Sequence, residues 1–128
     1  MARLLPDEAD ERVLGVWKEL LEDERLVAPP IFWAEVTSAL RVATGRGRVR
    51  HERALEALLG LTGLPIRMIT DLGIYPRALE FAARLDLSTA YDMQYVAAAE
   101  SQGATLMTLD QALYQHARTL DVAARLIA

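Results

Sequence analysis

The chain of 128 residues contains no cysteine and a single lysine, Lys18. The missing thiols exclude disulfides and thiolate-held metals. Histidine is scarce as well. His51 and His116 stand apart, each among polar neighbours, which argues against a histidine-clustered zinc site and against a catalytic histidine. No stretch approaches the roughly 18 consecutive apolar residues of a membrane span. The opening residues MARLLPDEADER hold no apolar run of signal-peptide length. A cytoplasmic location without membrane association is therefore expected. Excess positive charge is also lacking. The formal net charge of -4 argues against a protein that coats nucleic acid indiscriminately. It leaves room for an enzyme that holds nucleic acid through a local basic patch and a bound cation. Arginine supplies 13 of the 14 basic residues, which reads mainly as a coding bias.

What is present suits a single domain over residues 1–128, with 52% hydrophobic and 25% charged residues and no repeat, low-complexity segment or linker. Pro6 precedes Asp7 and Glu8, acids suited to the first turn of a helix. Val13, Leu14, Trp17, Leu20 and Leu21 then recur at helical spacing. Leu26, Val27 and Ala28 stop at Pro29 and Pro30 and read as a short buried strand. Further helices are expected from Ile31 to Thr44, from Arg50 to Leu61, from Pro76 to Leu85, from Thr89 to Gln102 and from Asp110 to Thr119. In the second of these, Ala54, Leu55, Leu58 and Leu59 share one side. Gly45, Gly47, Gly63, Pro65 and Gly103 punctuate the series. Strands are expected from Ile66 to Ile69, Ala104 to Thr108 and Val122 to Ile127. Short apolar strands alternating with longer helices predict an α/β fold, a mostly parallel sheet with helices on both faces. Such sheets bind ligands beyond the carboxyl ends of their strands.

Most of the 18 acidic residues fall at helix ends or on polar faces. Three do not. Glu35 has Ile31, Phe32, Ser38 and Ala39 as helical neighbours, so it lies on or beside an inward stripe. Its alternative role is a core-edge ion pair with an arginine such as Arg41. Asp92 is the one acid inside the apolar run from Ala90 to Ala99; its alternative role is helix capping, although Ser88 and Thr89 are placed to cap already. Asp110 directly follows the strand from Ala104 to Thr108, at the end where ligands gather, and also suits an N-cap. Carboxylates brought together raise one another's pKa, and a divalent cation relieves that repulsion. Oxygen ligands without cysteine or clustered histidine suit Mg²⁺ or Mn²⁺. Such ions activate water and polarise phosphoryl oxygens.

Three segments carry a resemblance. Ala28-Pro29-Pro30 followed by Ala34-Glu35-Val36-Thr37-Ser38-Ala39-Leu40 resembles the segment around the second acid of bacterial PIN domains. Leu87-Ser88-Thr89-Ala90-Tyr91-Asp92, then Tyr95-Val96-Ala97, resembles the segment around the third. Gly103 to Asp110 resembles the strand that carries the fourth. The ordered set is similar to the VapC-like toxins of toxin–antitoxin pairs. The resemblance implies a PIN-like three-layer sandwich, a Mg²⁺- or Mn²⁺-dependent endoribonuclease acting on RNA, a homodimer, and inhibition by a small antitoxin protein. It implies Glu35, Asp92 and Asp110 as metal-binding catalytic acids, with Ser88 and Thr108 supporting them. The family's first strand, with an acid in an Asp-Thr/Ala-Ser context, finds no match, because Asp7 and Glu8 align with a later Pro-Asp-Glu segment. The sequence therefore reads as N-terminally incomplete, and weak or absent cleavage is expected of it.

Other features are weighed against plainer roles. Arg46, Arg48 and Arg50, flanked by Arg41 and Arg53, are the candidate RNA-phosphate contacts; the plainer role is a solvated turn paired with Glu52 and Glu56. Trp17, Trp33, Tyr91 and Tyr95 read as packing residues. Two functions remain open at this level: a metal-dependent endoribonuclease, or a catalytically incompetent PIN-like protein that dimerises or binds an antitoxin-like partner.

Overall fold

The computed structural model describes residues 26–127. The first expected helix, with Trp17, lies outside the described residues. The described chain divides into two compact units, residues 26–67 and residues 68–127.

The first unit opens with β1 (Leu26–Ala28), followed by α1 (Ile31–Gly45), α2 (His51–Thr62) and β2 (Ile66–Met68), whose last residue begins the second unit. β1 and β2 form a two-stranded sheet. Pro29 and Pro30 end β1 and start α1 together: proline suits a helix start because its missing N–H would have no intrahelical partner. The Pro29 carbonyl accepts the Phe32 N–H at 3.0 Å to close the first turn. Phe32, Val36, Leu40 and Ala43 form the buried row of α1, at the spacing of one helix face. Phe32 meets Trp33 edge to face, with ring centroids 5.0 Å apart. α1 stops where Gly47 takes φ +71°, which glycine adopts without steric cost.

α2 differs from its sequence expectation. Ala54 is its one buried residue and Leu58 is half-buried, while Leu55 and Leu59 are exposed. Packing is centred on the Ala54 edge of that side and leaves the Leu55 and Leu59 edge in solvent.

The second unit contains α3 (Ile74–Arg84), α4 (Met93–Gln102), β3 (Leu106–Thr108), α5 (Gln111–Thr119) and β4 (Ala124–Leu126). β3 and β4 are parallel, with Leu106 opposite Ala124 and Thr108 opposite Leu126. Parallel neighbours need a crossover, and residues 109–123, with α5, provide it. β3 is buried throughout. α3 and α4 pack together. Ile74, Ala78, Phe81 and Ala82 form the inward face of α3. Met93 and Tyr95 to Ala99 are buried on α4, as its apolar run requires.

Outside that core, Arg77 fastens α3 to α4. Its Nε and Nη2 donate to both carboxylate oxygens of Glu100, at 2.7 and 3.1 Å, and its Nη1 donates to Glu80 at 2.9 Å. The guanidinium also lies 4.3 Å over the Phe81 ring. The hydrogen bonds from Arg77 hold the Glu100 carboxyl below the usual glutamate range. Glu100 and Glu80 in turn keep Arg77 firmly protonated.

Helix ends in this unit use residues in the left-handed region. Gly103 (φ +59°) ends α4, while Asp86 (φ +55°) and Asp121 (φ +58°) follow α3 and α5. In each case the next N–H reaches back to the helix, as in Leu87 to the Ala82 carbonyl and Val122 to the Ala117 carbonyl.

Candidate active site

Asp110 is the most completely defined of the candidate acids. It stands two residues past β3, in extended conformation, as the N-cap of α5. Two hydrogen bonds fix it. Its backbone N–H donates to the Thr108 hydroxyl oxygen at 3.0 Å, and its Oδ1 accepts the Leu113 N–H at 3.1 Å. The Asp110 carbonyl accepts the first helical hydrogen bond, from Tyr114. Capping thus employs one carboxylate oxygen, and Oδ2 accepts no hydrogen bond among the described residues. Thr108 is 1% exposed and the only buried polar residue of the core among those described. Its carbonyl accepts the Ile127 N–H at 2.9 Å, continuing the ladder with β4. Thr108 therefore secures the Asp110 backbone from inside the sheet.

Asp92 occupies the cap position of α4, but not in the way its sequence neighbours indicate. The helix begins at Met93, later than the expected Thr89. Ser88 and Thr89 lie before it, exposed, and do not cap it. The entry is closed by backbone bonds, Gln94 N–H to the Tyr91 carbonyl and Tyr95 N–H to the Asp92 carbonyl. Asp92 itself has helical dihedrals, and its side chain makes no capping bond. Its half-buried carboxylate thus does not cap the helix it precedes. Complete burial begins at Met93, and the regular helix begins with it.

The delayed helix start also separates two tyrosines expected to pack alike. Tyr95 is 3% exposed and belongs to the core, whereas Tyr91 is 60% exposed.

Glu35 lies in the first unit, half-buried, on the α1 row of Ile31, Glu35 and Ala39, next to the fully buried row of Phe32 and Val36. Arg41 donates instead to Thr44 at 3.2 Å. Arg46, Arg48 and Arg50 are all exposed in the turn between α1 and α2. The salt bridge seen there joins Arg53 and Glu56 at 3.8 Å, on the surface of α2. His51 is exposed at the start of α2, and His116 is half-buried in the last turn of α5.

Two of the candidate acids, Asp92 and Asp110, thus belong to the second unit and Glu35 to the first. Among the described residues no three Asp, Glu, His or Cys side chains gather closely enough to hold a metal ion. The donors themselves fit a hard cation. They are carboxylate oxygens, and Asp110 Oδ2 is uncommitted at a parallel-strand end.

Comparison with known proteins names the family to which this geometry belongs. The pattern of the PIN domain matches residues 4–119, running through both units. The chain belongs to the PIN-domain family. It is 32% identical over 96 residues to a VapC ribonuclease (Mb0985) of Mycobacterium bovis and to ribonuclease VapC9 of Mycobacterium tuberculosis, over 75% of this chain and 73% of each relative. The crystal structure of PAE2754 from Pyrobaculum aerophilum shares the fold, with a TM-score of 0.59 and 23% identity, over 83% of this chain and 82% of that one. The α/β PIN-like fold class read from the sequence is therefore the observed one. Among the described residues no helix is long and apolar enough to cross a membrane.

Proposed function

We propose that this PIN-domain protein is a Mg²⁺- or Mn²⁺-dependent endoribonuclease, the toxin of a toxin–antitoxin pair. The observation that carries the reading is the setting of Asp110. At the end of a parallel strand a buried threonine holds the Asp110 backbone, a helix N–H holds one carboxylate oxygen, and the other oxygen is left over. A purely capping aspartate needs no buried hydroxyl beneath it. The ribonuclease relatives support catalysis over a purely binding role.

Asp110 and Asp92 would supply carboxylates to the cation, with Glu35 the further acid that the family resemblance implies; when bound, the cation supplies a polarised phosphoryl oxygen and an activated water. The chain's own work is positional. Thr108 fixes the Asp110 backbone and the Leu113 N–H fixes its Oδ1, which leaves Oδ2 for the cation. Asp92 stands at the amino end of α4, where the helix dipole favours the negative charge of a phosphodiester. Arg46, Arg48 and Arg50 are placed in an exposed turn to pair with RNA phosphates. Residues 1–128 act as one PIN domain, and Ser88 is a supporting polar group near Asp92.

A cytoplasmic homodimer controlled by a small antitoxin protein completes the reading. Leu72, Tyr75 and Leu79 are exposed at helical spacing along α3 and its approach, an apolar stripe suited to association. The test is cleavage of a mixed RNA pool with added Mg²⁺ or Mn²⁺, at protein concentrations high enough to measure the weak activity expected of this chain. Chelation should abolish cleavage, and Glu35→Gln, Asp92→Asn and Asp110→Asn should each lower the rate on the order of 100-fold. Cleavage that survives chelation, or that none of the three changes affects, refutes the reading.

A further inference from the structure

Tyr91 is the feature the fold leaves unexplained. Large aromatic side chains dominate cores, and this one is 60% exposed although its chain neighbours Ala90 and Asp92 are half-buried. Its side chain has no ring contact, hydrogen bond or ion pair among the described residues. It is not a loosely held residue. Its carbonyl accepts the Gln94 N–H at 3.2 Å, and Met93, two positions on, is wholly buried. The ring is thus presented to solvent from an anchored turn, directly before Asp92.

The same turn offers Ser88 and Thr89, both exposed, with hydroxyls that make no hydrogen bond among the described residues. An exposed ring, two free hydroxyls and a helix amino end within five consecutive residues form a set of matched chemistry. Unpaired RNA bases stack on aromatic faces, and hydroxyl groups donate to phosphate and sugar oxygens. A tyrosine loses little conformational freedom on stacking, since it has two rotatable side-chain bonds.

We infer that Tyr91 is a base-stacking residue of a single-stranded RNA subsite beside Asp92, with Ser88 and Thr89 contacting the adjoining backbone. The inference rests on the reading of Asp92 as a catalytic acid. It assigns Tyr91 to positioning the strand and not to the hydrolytic step.

The test uses single-stranded RNA of about twelve nucleotides, carrying 2-aminopurine at successive positions, with EDTA present so that metal-dependent cleavage is stopped. The wild-type protein and Tyr91→Phe should quench the fluorescence at one position. Tyr91→Ala and Tyr91→Leu should not. Affinity should fall roughly 10-fold in the Ala and Leu variants, and that loss should vanish when the RNA is abasic at the quenched position. An unchanged melting temperature is expected, because the ring packs against little. Unchanged affinity and quenching in Tyr91→Ala overturn the inference, as does an equal loss on abasic RNA, which would mark a general structural role. These readouts need no cleavage. They therefore separate a failure here from a failure of the nuclease reading, which would appear as Asp92→Asn retaining full Mg²⁺-dependent activity.

Discussion

Asp110 caps α5 through one oxygen and is proposed to bind the cation through the other, and a pair of substitutions separates the two roles. Asp110→Asn keeps a side-chain oxygen to accept the Leu113 N–H, now 3.1 Å from Oδ1, so the N-cap of α5 survives. Asn and Asp are about equal as N-caps. The substitution removes the negative charge that a cation requires. Asp110→Ala removes both functions. Loss of an N-cap costs about 1 kcal/mol, which for a chain of this size corresponds to roughly 3–5 °C in melting temperature. Cation binding adds a third readout, because a ligand bound only by the folded state stabilises it, by about 2.7 kcal/mol at a hundredfold excess over Kd. Thermal denaturation followed by circular dichroism, with and without Mn²⁺, should give three patterns. The wild type melts high and higher still with Mn²⁺. Asp110→Asn melts like the wild type without metal and gains less from it. Asp110→Ala melts lower and likewise gains less. RNA cleavage should fall on the order of 100-fold in both variants. If Asn lowers the melting temperature as far as Ala, the Oδ1 cap is not what stabilises α5. If Asn keeps both the Mn²⁺ gain and cleavage, the free oxygen is not a metal ligand, and the proposed function loses the observation that carries it.

Thr108→Val should cost about 1–3 kcal/mol, because the Asp110 N–H loses its acceptor, and should reduce cleavage as well; Thr108→Ser should retain most of both, as denaturant melts and a rate assay will tell. The folded-state pKa of Glu100 is depressed, so the stability from its pairing with Arg77 is fully present above the ordinary glutamate value and declines as pH falls through the lowered one. Urea melts across the acid range should show that decline weakened in Glu100→Gln. Asp86→Gly and Asp121→Gly should each stabilise the fold by about 0.5–1 kcal/mol, because both aspartates sit at positive φ; equal or lower melting temperatures would contradict this. Replacing Arg46, Arg48 and Arg50 singly with Gln should each lower the salt dependence of RNA affinity by about 0.7 in log–log slope; an unchanged slope removes the turn from the RNA-binding surface.

Much of this organisation is local, and local features are legible in a sequence. Pro29 and Pro30 stop a strand and start a helix wherever they occur, and Gly103 ends α4 because a left-handed residue is needed there. Asp110 was recognisable for the same reason. The apolar run before it and the helical pattern after it place it at a strand end and an N-cap, and both hold. α2 was harder to read. Its apolar residues share one broad side, so periodicity could not tell which edge would be covered, burying Ala54 and exposing Leu59.

Tyr91 and Tyr95 show where that legibility ends. Spaced by four, they share one face of a helix that starts at Thr89, and the residues from Ser88 onward permit such a start. The fold begins α4 at Met93, because burial becomes complete there and backbone turns at Tyr91 and Asp92 replace the expected side-chain caps. That shift of one helical turn sends Tyr95 into the core, leaves Tyr91 in solvent, and puts Asp92 at the helix entry with its carboxylate uncommitted to capping. The sequence by itself determined the α/β order of elements, the punctuation and the identity of the unusual acids, since these depend on neighbours along the chain. Only the tertiary structure decided where α4 begins and which tyrosine faces water, since that depends on which side chains the rest of the second unit has room to bury.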